Sequence, residues 1–122
     1  MTSMEVISST AGIENDQEQV NPRRIHDPNA SRLFWYLFGG SRGGEARLKI
    51  VTCLMKRPYN RNQLAKIVRL DYKAVQHHLG VLEKNNLIIR QGEEYGVMFF
   101  ISPYLEAKSD AFEEVCNKIG KR

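Results

Sequence analysis

The sequence has 122 residues, of which 42% are hydrophobic and 26% are charged, and its formal net charge is +4. This length and composition predict one soluble domain with a modest core, and no apolar run is long enough to predict a membrane-spanning helix. The two cysteines, Cys53 and Cys116, lack CxxC spacing, which is typical of free thiols in a cytoplasmic protein, although a disulfide between them stays open.

The charge is distributed unevenly along the chain. Residues 1–30 carry two basic and five acidic side chains, residues 31–90 carry twelve basic and three acidic ones, and residues 91–122 carry four basic and six acidic ones. The central segment therefore has a net charge of +9 between two acidic ends. This asymmetry favours a polyanionic partner for the central segment.

The chain begins with a polar segment, residues 1–30, which lacks an apolar period and predicts a disordered tail. Ser31 can then cap a short helix, "RLFWYLF", that ends at Gly39 and Gly40. A strand is possible on propensity alone, but the serine cap and the glycine pair favour a helix. Because its apolar residues lie all round, we expect this helix to be buried.

The next stretch, "GGSRGG", invites comparison with a phosphate-binding loop. The Walker spacing is absent, because Glu45 stands where a lysine is required. A flexible link is the better interpretation. A helix is predicted from Glu45 to Lys56, ended by Pro58. Its expected buried side consists of Leu48, Ile50, Val51, Leu54 and Met55.

Two further helices follow with clear start signals. Asn60 and Gln63 form a capping-box pattern for a helix over roughly 61–68, whose buried side is Leu64, Ala65 and Val68. A tight link then leads to "DYKAVQHHLGVLEKNNL", in which Asp71 is the expected N-cap. The apolar stripe of this last helix is Tyr72, Val75, Leu79 and Leu82.

The adjacent histidines of this helix point in different directions. His77 lies opposite the apolar stripe, and His78 lies at its edge, because neighbouring side chains are about 100° apart on a helix. They do not form the i, i+4 pair that a metal prefers. The face around His77 holds hydrogen-bond donors and no acid, which suits an electronegative partner; a solvated helix face is the alternative. Its other members are Lys73, Gln76, Gly80 and Lys84.

The chain ends with a hairpin pattern and a helix. "LIIRQ" and "YGVMFFI" are separated by Gly92-Glu93-Glu94, which predicts two strands and a turn. A helix follows over about 103–119. We expect its apolar stripe to form a homodimer interface with help from "RLFWYLF", and packing on its own domain is the alternative. The stripe is Leu105, Phe112, Val115, Cys116 and Ile119.

A short helix, a tight turn and a longer basic-faced helix form a helix-turn-helix pattern, and the added hairpin makes it a winged helix. The sequence "NQLAKIVRLDYKAVQHHLGVLEKNNLI" resembles winged helix-turn-helix regulators of the ArsR type, especially small archaeal members; the resemblance spans about 33–119. The expected fold is mainly α with a small β-hairpin. The expected domains are a tail at 1–30, a winged helix-turn-helix at 31–102 and a dimerisation helix at 103–122.

The resemblance implies a transcription regulator. An enzyme is not expected, because the sequence lacks the GxSxG, HExxH and GxGxxG motifs, and no cofactor is expected. The regulator's recognition helix, Asp71–Asn85, would lie in the major groove of double-stranded DNA at a palindromic operator, bound by a homodimer. Metal sensing is unsupported, because the chain lacks the closely spaced cysteines and the acid and histidine sets of sensing members. The alternative is a winged-helix protein-interaction module, and RNA binding is a minor variant. The expected DNA-binding residues are Lys73, Gln76, His77, Lys84, Arg42, Arg47 and Arg90, with the acids at the wing tip repelling phosphate.

Overall fold

The computed structural model describes residues 27–93 and 96–120, and these form a winged helix-turn-helix. The fold is mainly helical with one two-stranded antiparallel hairpin, as the sequence predicted. Ile88 pairs with Ile101, and Gln91 pairs with Met98. The elements are α1 (Pro28–Phe34), a π-helical turn (Trp35–Gly39), α2 (Gly44–Lys56), α3 (Arg61–Val68), α4 (Tyr72–Lys84), β1 (Ile88–Gln91), β2 (Met98–Ile101), α5 (Pro103–Ala107) and α6 (Ser109–Gly120).

The caps of the helix-turn-helix form as the sequence predicted. The Asn60 side chain accepts a hydrogen bond from the Gln63 backbone N–H at 2.8 Å, and the Gln63 side chain accepts one from the Asn60 N–H at 2.9 Å. Asp71 accepts from the Ala74 N–H at 2.7 Å and starts α4. Between the helices, Arg69 adopts the left-handed conformation with φ +60°. Local sequence therefore fixes both ends of the turn that places α4.

Helix α2 lies at the centre of the fold and contacts the π-helical turn, α3, α4 and β2. The periodicity predicted that Met55 and Tyr72 are buried. Both predictions are wrong, because Met55 is 40% exposed and Tyr72 is 45% exposed. Tyr72 begins α4 and its hydroxyl binds a neighbouring arginine, so its polar end is kept at the surface. The largest fully buried side chains include Phe34, Leu37, Ile50, Leu64, Leu79, Leu82 and Phe99.

The first helix begins earlier than predicted. Asp27, not Ser31, caps α1 by accepting from the Ala30 N–H at 3.1 Å, and Pro28 occupies the first helical turn. Asp27 also forms an ion pair with Lys108 at 2.7 Å, and Ala30 is fully buried. Residues 27–30 therefore pack with the domain that the sequence analysis predicted to begin at residue 31. The predicted disorder of the preceding residues lies outside the described part of the chain.

The terminal helix is divided into α5 and α6. Three residues of its apolar stripe, Leu105, Phe112 and Val115, pack within the chain. Phe112 contacts the rings of Phe34 and Phe38 edge-to-face, with centroids 5.8 and 5.4 Å apart. Leu105 and Val115 are 0% and 1% exposed. The surfaces of these residues are therefore covered by their own domain, which was the alternative to a dimer interface. Cys116 and Ile119, of the same stripe, are half-buried.

No helix in the described part of the chain is long and apolar enough to cross a membrane. Both cysteines are free thiols, as the spacing suggested.

Candidate nucleic-acid interface

The exposed face of α4 carries the polar side chains that the sequence assigned to it. Val75, Leu79 and Leu82 are buried beneath it. Within 27–93 and 96–120, its two lysines and its glutamine have no hydrogen-bond or ion-pair partner in the chain, so their donors are available to another molecule. The exposed residues are Lys73, Gln76, His77, Gly80 and Lys84.

The two histidines separate into an exposed and a half-buried ring, as predicted. The Nδ1 atom of His78 lies 3.4 Å from Nη1 of Arg47. Burial, then the charge of Arg47 and then that of His77, lower the pKa of His78 from its ordinary 6.5. The rings nevertheless meet edge-to-face with centroids 5.3 Å apart, closer than the helical geometry suggested. The described residues contain no group of three or more side chains suited to a metal ion.

Arg47 does not reach the surface, although the sequence analysis expected it to contact phosphate. It is 5% exposed, and its Nε–H donates to the Leu37 carbonyl at 2.9 Å. Its other donors reach the Ser41 hydroxyl and the Arg42 carbonyl. Burial lowers the pKa of this guanidinium. Arg47 is therefore enclosed by the protein and cannot meet a phosphate. Its position three residues before Ile50, on the buried side of α2, is the sequence feature that could have predicted this burial.

The glycine-rich stretch links α1 to α2, as predicted, but through a closely packed turn. Gly43 has φ +85°, and a Cβ there would lie 2.7 Å from Cε1 of His78. A Cβ on Gly44 would lie 2.6 Å from the Phe38 carbonyl oxygen. Glycine is therefore required for α2 and α4 to approach this turn. Arg42, the other basic residue of the expected set on this turn, is exposed.

At the base of the wing, Arg90 is already paired. Its Nε–H and Nη2–H donate to the two carboxylate oxygens of Glu83, both at 2.7 Å. This hydrogen bonding raises the pKa of Arg90. Arg90 stays half-exposed, but Glu83 offsets its charge. Glu93 is exposed at the wing tip, and Glu94 lies outside the described residues.

The sequence analysis missed two neighbouring residues, Arg61 and Tyr72. Nη1 of Arg61 donates to the Tyr72 hydroxyl at 2.6 Å. The Arg61 guanidinium also lies over the Phe99 ring, with its central carbon 5.8 Å from the centroid. Tyr72 fits the apolar period, which hid it among the core positions. The sequence feature that could have predicted an exposed Tyr72 is its polar hydroxyl group at the first position after the N-cap Asp71, which is itself exposed.

Residues 44–90 match the model of the family described as "Bacterial regulatory protein, arsR family". This segment covers α2, α3, α4 and most of β1, so the helix-turn-helix unit is similar to that of arsR-family regulators. None of the curated proteins that were compared matches the chain.

Three solved structures illustrate the similarity of the fold. A probable transcriptional regulator from Pseudomonas aeruginosa is 20% identical, with a TM-score of 0.58 over 77% of this chain and 73% of that one. HlyU from Vibrio cholerae is 19% identical, with a TM-score of 0.56 over 80% and 100%. A homodimeric winged helix-turn-helix DNA-binding domain from Mycobacterium bovis is 18% identical, with a TM-score of 0.55 over 78% and 89%. The resemblance to archaeal members in particular stays a prediction.

The family match and the geometry of α4 together support a DNA-binding transcription regulator.

Proposed function

We propose that the protein is a sequence-specific transcription regulator that binds double-stranded DNA as a homodimer, with α4 in the major groove of a palindromic operator. The observation that carries this proposal is the exposed face of α4, which presents two lysines, a glutamine and a histidine and no acid. Its lysine and glutamine donors are not used inside the described chain. A major groove is wide enough to admit a helix and displays acceptors on base edges and phosphates.

The side chains on this face fall into two roles. Gln76 and His77 lie at the middle of the exposed face and are suited to base edges; a glutamine amide matches the N6 and N7 atoms of adenine. Lys73, Lys84 and Arg42 are suited to phosphates because their charges are exposed and carry no base-specific pattern. Arg90 can add a weaker contact, since Glu83 offsets its charge.

A homodimer would present two copies of α4 to two half-sites. The homodimeric state of the Mycobacterium bovis domain supports this part of the proposal. With Leu105, Phe112 and Val115 inside the core, we place the interface on the exposed residues of the π-helical turn and α6, which contact each other. Tyr36 is 63% exposed there, and Cys116 and Ile119 are half-buried on α6.

A protein-interaction module is the alternative function for a winged helix. The exposed face of α4 argues against it, because the centres of protein interfaces are depleted in charged residues and enriched in large apolar ones. The side chains of this face are polar or charged, apart from Gly80, which has no side chain.

The salt dependence of DNA binding tests the proposed function. Binding of a mixed-sequence duplex should weaken as salt rises, with a slope of log K against log salt of about −0.9 for each phosphate neutralised. Lys84→Ala should reduce the slope by about 0.9 per chain. Affinity that does not change with salt would contradict the proposal, and an RNA duplex that competes as well as DNA would redirect it to RNA.

A further inference from the structure

A cluster on the wing side of α4 places two cations against one aromatic ring. The central guanidinium carbons of Arg61 and Arg90 lie 5.8 and 5.3 Å from the centroid of the Phe99 ring. Phe99 is fully buried beneath them. Arg61 is the first residue of α3, and Arg90 lies in β1. The first helix of the helix-turn-helix and the wing therefore bring two positive charges to the same place.

Only one of these charges is offset within the described chain. Glu83 binds Arg90, whereas no carboxylate of the described residues lies within ion-pair distance of Arg61. Two guanidinium groups beside one ring with one carboxylate leave a net positive charge. An anion at this position would remove that imbalance.

Arg61 also has hydrogen-bonding capacity that the chain does not use. Its Nη1–H donates to Tyr72, while its Nε–H is enclosed without an acceptor. That enclosed N–H cannot be reached by another molecule. The Nη2 group of Arg61, in contrast, is not enclosed and has no hydrogen-bond partner among the described residues, so it can donate to a phosphate oxygen.

Tyr72 supplies a further donor at the same position. Its hydroxyl oxygen accepts from Arg61, which leaves its own O–H to donate, and the residue is 45% exposed. A hydroxyl that accepts from a cation becomes a better donor, because hydrogen bonds in a chain polarise one another. The pair therefore presents a neutral O–H of Tyr72 and a charged N–H of Arg61 side by side.

The position of the pair in the fold identifies the anion. In a helix-turn-helix, the N-terminal residues of the recognition helix approach base edges while the preceding helix crosses the DNA backbone. Tyr72 begins the recognition helix and Arg61 begins the preceding one. We infer that Arg61 and Tyr72 form a preorganised clamp for one phosphate of the DNA backbone. This inference rests on the proposed function and adds two contacts to it.

The test compares salt dependence for three full-length proteins on one mixed-sequence DNA duplex of about three helical turns, by fluorescence anisotropy. Tyr72→Phe should bind about tenfold more weakly at every salt concentration, with the slope unchanged, because the hydroxyl is neutral. Arg61→Gln should reduce the slope by about 0.9 per chain, because a charged contact is lost. The wild-type protein is the reference.

Arg32→Gln is the matched control, because Arg32 is exposed on α1, whose neighbours are the π-helical turn and α6. It removes the same charge and should leave the slope unchanged. Thermal unfolding of each variant checks the fold, and Arg61→Lys adds a variant that keeps the charge but loses the planar guanidinium, which can donate to Tyr72 and to a phosphate at the same time. It should keep the slope and bind more weakly than wild type.

Each contrary outcome has a distinct meaning. If Tyr72→Phe binds as wild type does, the clamp is overturned while the proposed function stands. If Arg32→Gln reduces the slope as much as Arg61→Gln, the effect is one of net charge and the clamp is again overturned. If the wild-type protein shows no salt-dependent DNA binding, the proposed function is overturned and the clamp with it.

Discussion

Arg47 and His78 connect the glycine-rich turn to the helix proposed to face DNA. Arg47 holds the turn through three hydrogen bonds and reaches His78 at 3.4 Å. Nδ1 of His78 can accept from Arg47 only while that nitrogen is unprotonated. The neutral form of the histidine is therefore the one that fits the fold, in agreement with its lowered pKa.

This geometry predicts an acid-sensitive stability. Because the pKa of His78 in the folded state is below its ordinary 6.5, the unfolded chain binds more protons in that range. The free energy of unfolding should therefore decrease as the pH falls below 6.5, and the contribution of His78 should level off below its folded-state pKa. Urea denaturation at neutral and mildly acidic pH measures it.

His78→Gln should remove this part of the acid sensitivity, since a glutamine oxygen can accept from Arg47 without titrating. His77→Gln is the matched control, because it keeps the contact between His78 and Arg47 and removes only the smallest of the three causes that lower the pKa of His78, so it should keep most of the pH dependence. An equal effect of both substitutions would show that the contact with Arg47 is not the cause.

Gln76 and Lys84 allow the two proposed kinds of DNA contact to be separated at the residue scale. Gln76→Ala should relax base preference at one position of each half-site, since a bidentate base contact is worth about 1–3 kcal/mol of discrimination. Lys84→Ala should weaken all sequences alike. Selection of sites from random DNA with each variant measures both effects, and uniform weakening by Gln76→Ala would rule out its role in base readout.

At the scale of the elements, the sequence predicts what local chemistry determines. The capping residues Asn60 and Asp71 identified α3 and α4 correctly, because a cap depends on atoms within three residues. Periodicity also identified the exposed face around His77. It could not say what covers an apolar stripe, so Phe112 was assigned to a second copy when Phe34 and Phe38 of the same chain cover it.

The start of α1 gives a prediction for this element. Removing residues 1–26 should leave the thermal unfolding midpoint nearly unchanged, whereas removing residues 1–30 should lower it by about 5 °C or more. The longer deletion takes away the Asp27 cap, its ion pair with Lys108 and the buried Ala30. Differential scanning calorimetry of both truncated proteins measures this. Equal midpoints would show that 27–30 contribute nothing to the packed domain.

At the scale of the whole molecule, packing between elements decides which side chains are covered, and local sequence patterns do not reveal this packing. Arg47 illustrates the same limit inside the chain: its charge predicted a surface contact, but four groups of the protein satisfy its donors. The charge of Arg61 alone predicted no particular role for this residue, whereas its contacts with Tyr72 and Phe99 indicate one. Charge alone therefore identifies a basic region, and packing decides which residues of it can meet DNA.

We expect the interface of the proposed homodimer to consist of exposed residues of the π-helical turn and α6. A two-fold pair of recognition helices can read half-sites about 34–36 Å apart on one face of the duplex. Tyr36 is the most exposed large apolar residue of the described chain, at 63%, and it lies in the π-helical turn. Sedimentation equilibrium at micromolar concentration should give the mass of two chains for the wild type and of one chain for Tyr36→Glu.

Met55→Glu is the matched control for this substitution, because Met55 is 40% exposed on α2 beside the start of α6 at 109–113, whereas Cys116 and Ile119 lie further along that helix. It should keep both the mass of two chains and the thermal midpoint of the wild type, whereas Tyr36→Glu should lose only the part of the midpoint that association supplies. Tyr36→Glu should also bind a palindromic duplex more weakly, because one chain offers a single recognition helix. A wild-type protein of one-chain mass that still bound such a duplex tightly would refute the dimer, and dissociation by Met55→Glu alone would move the interface to α2.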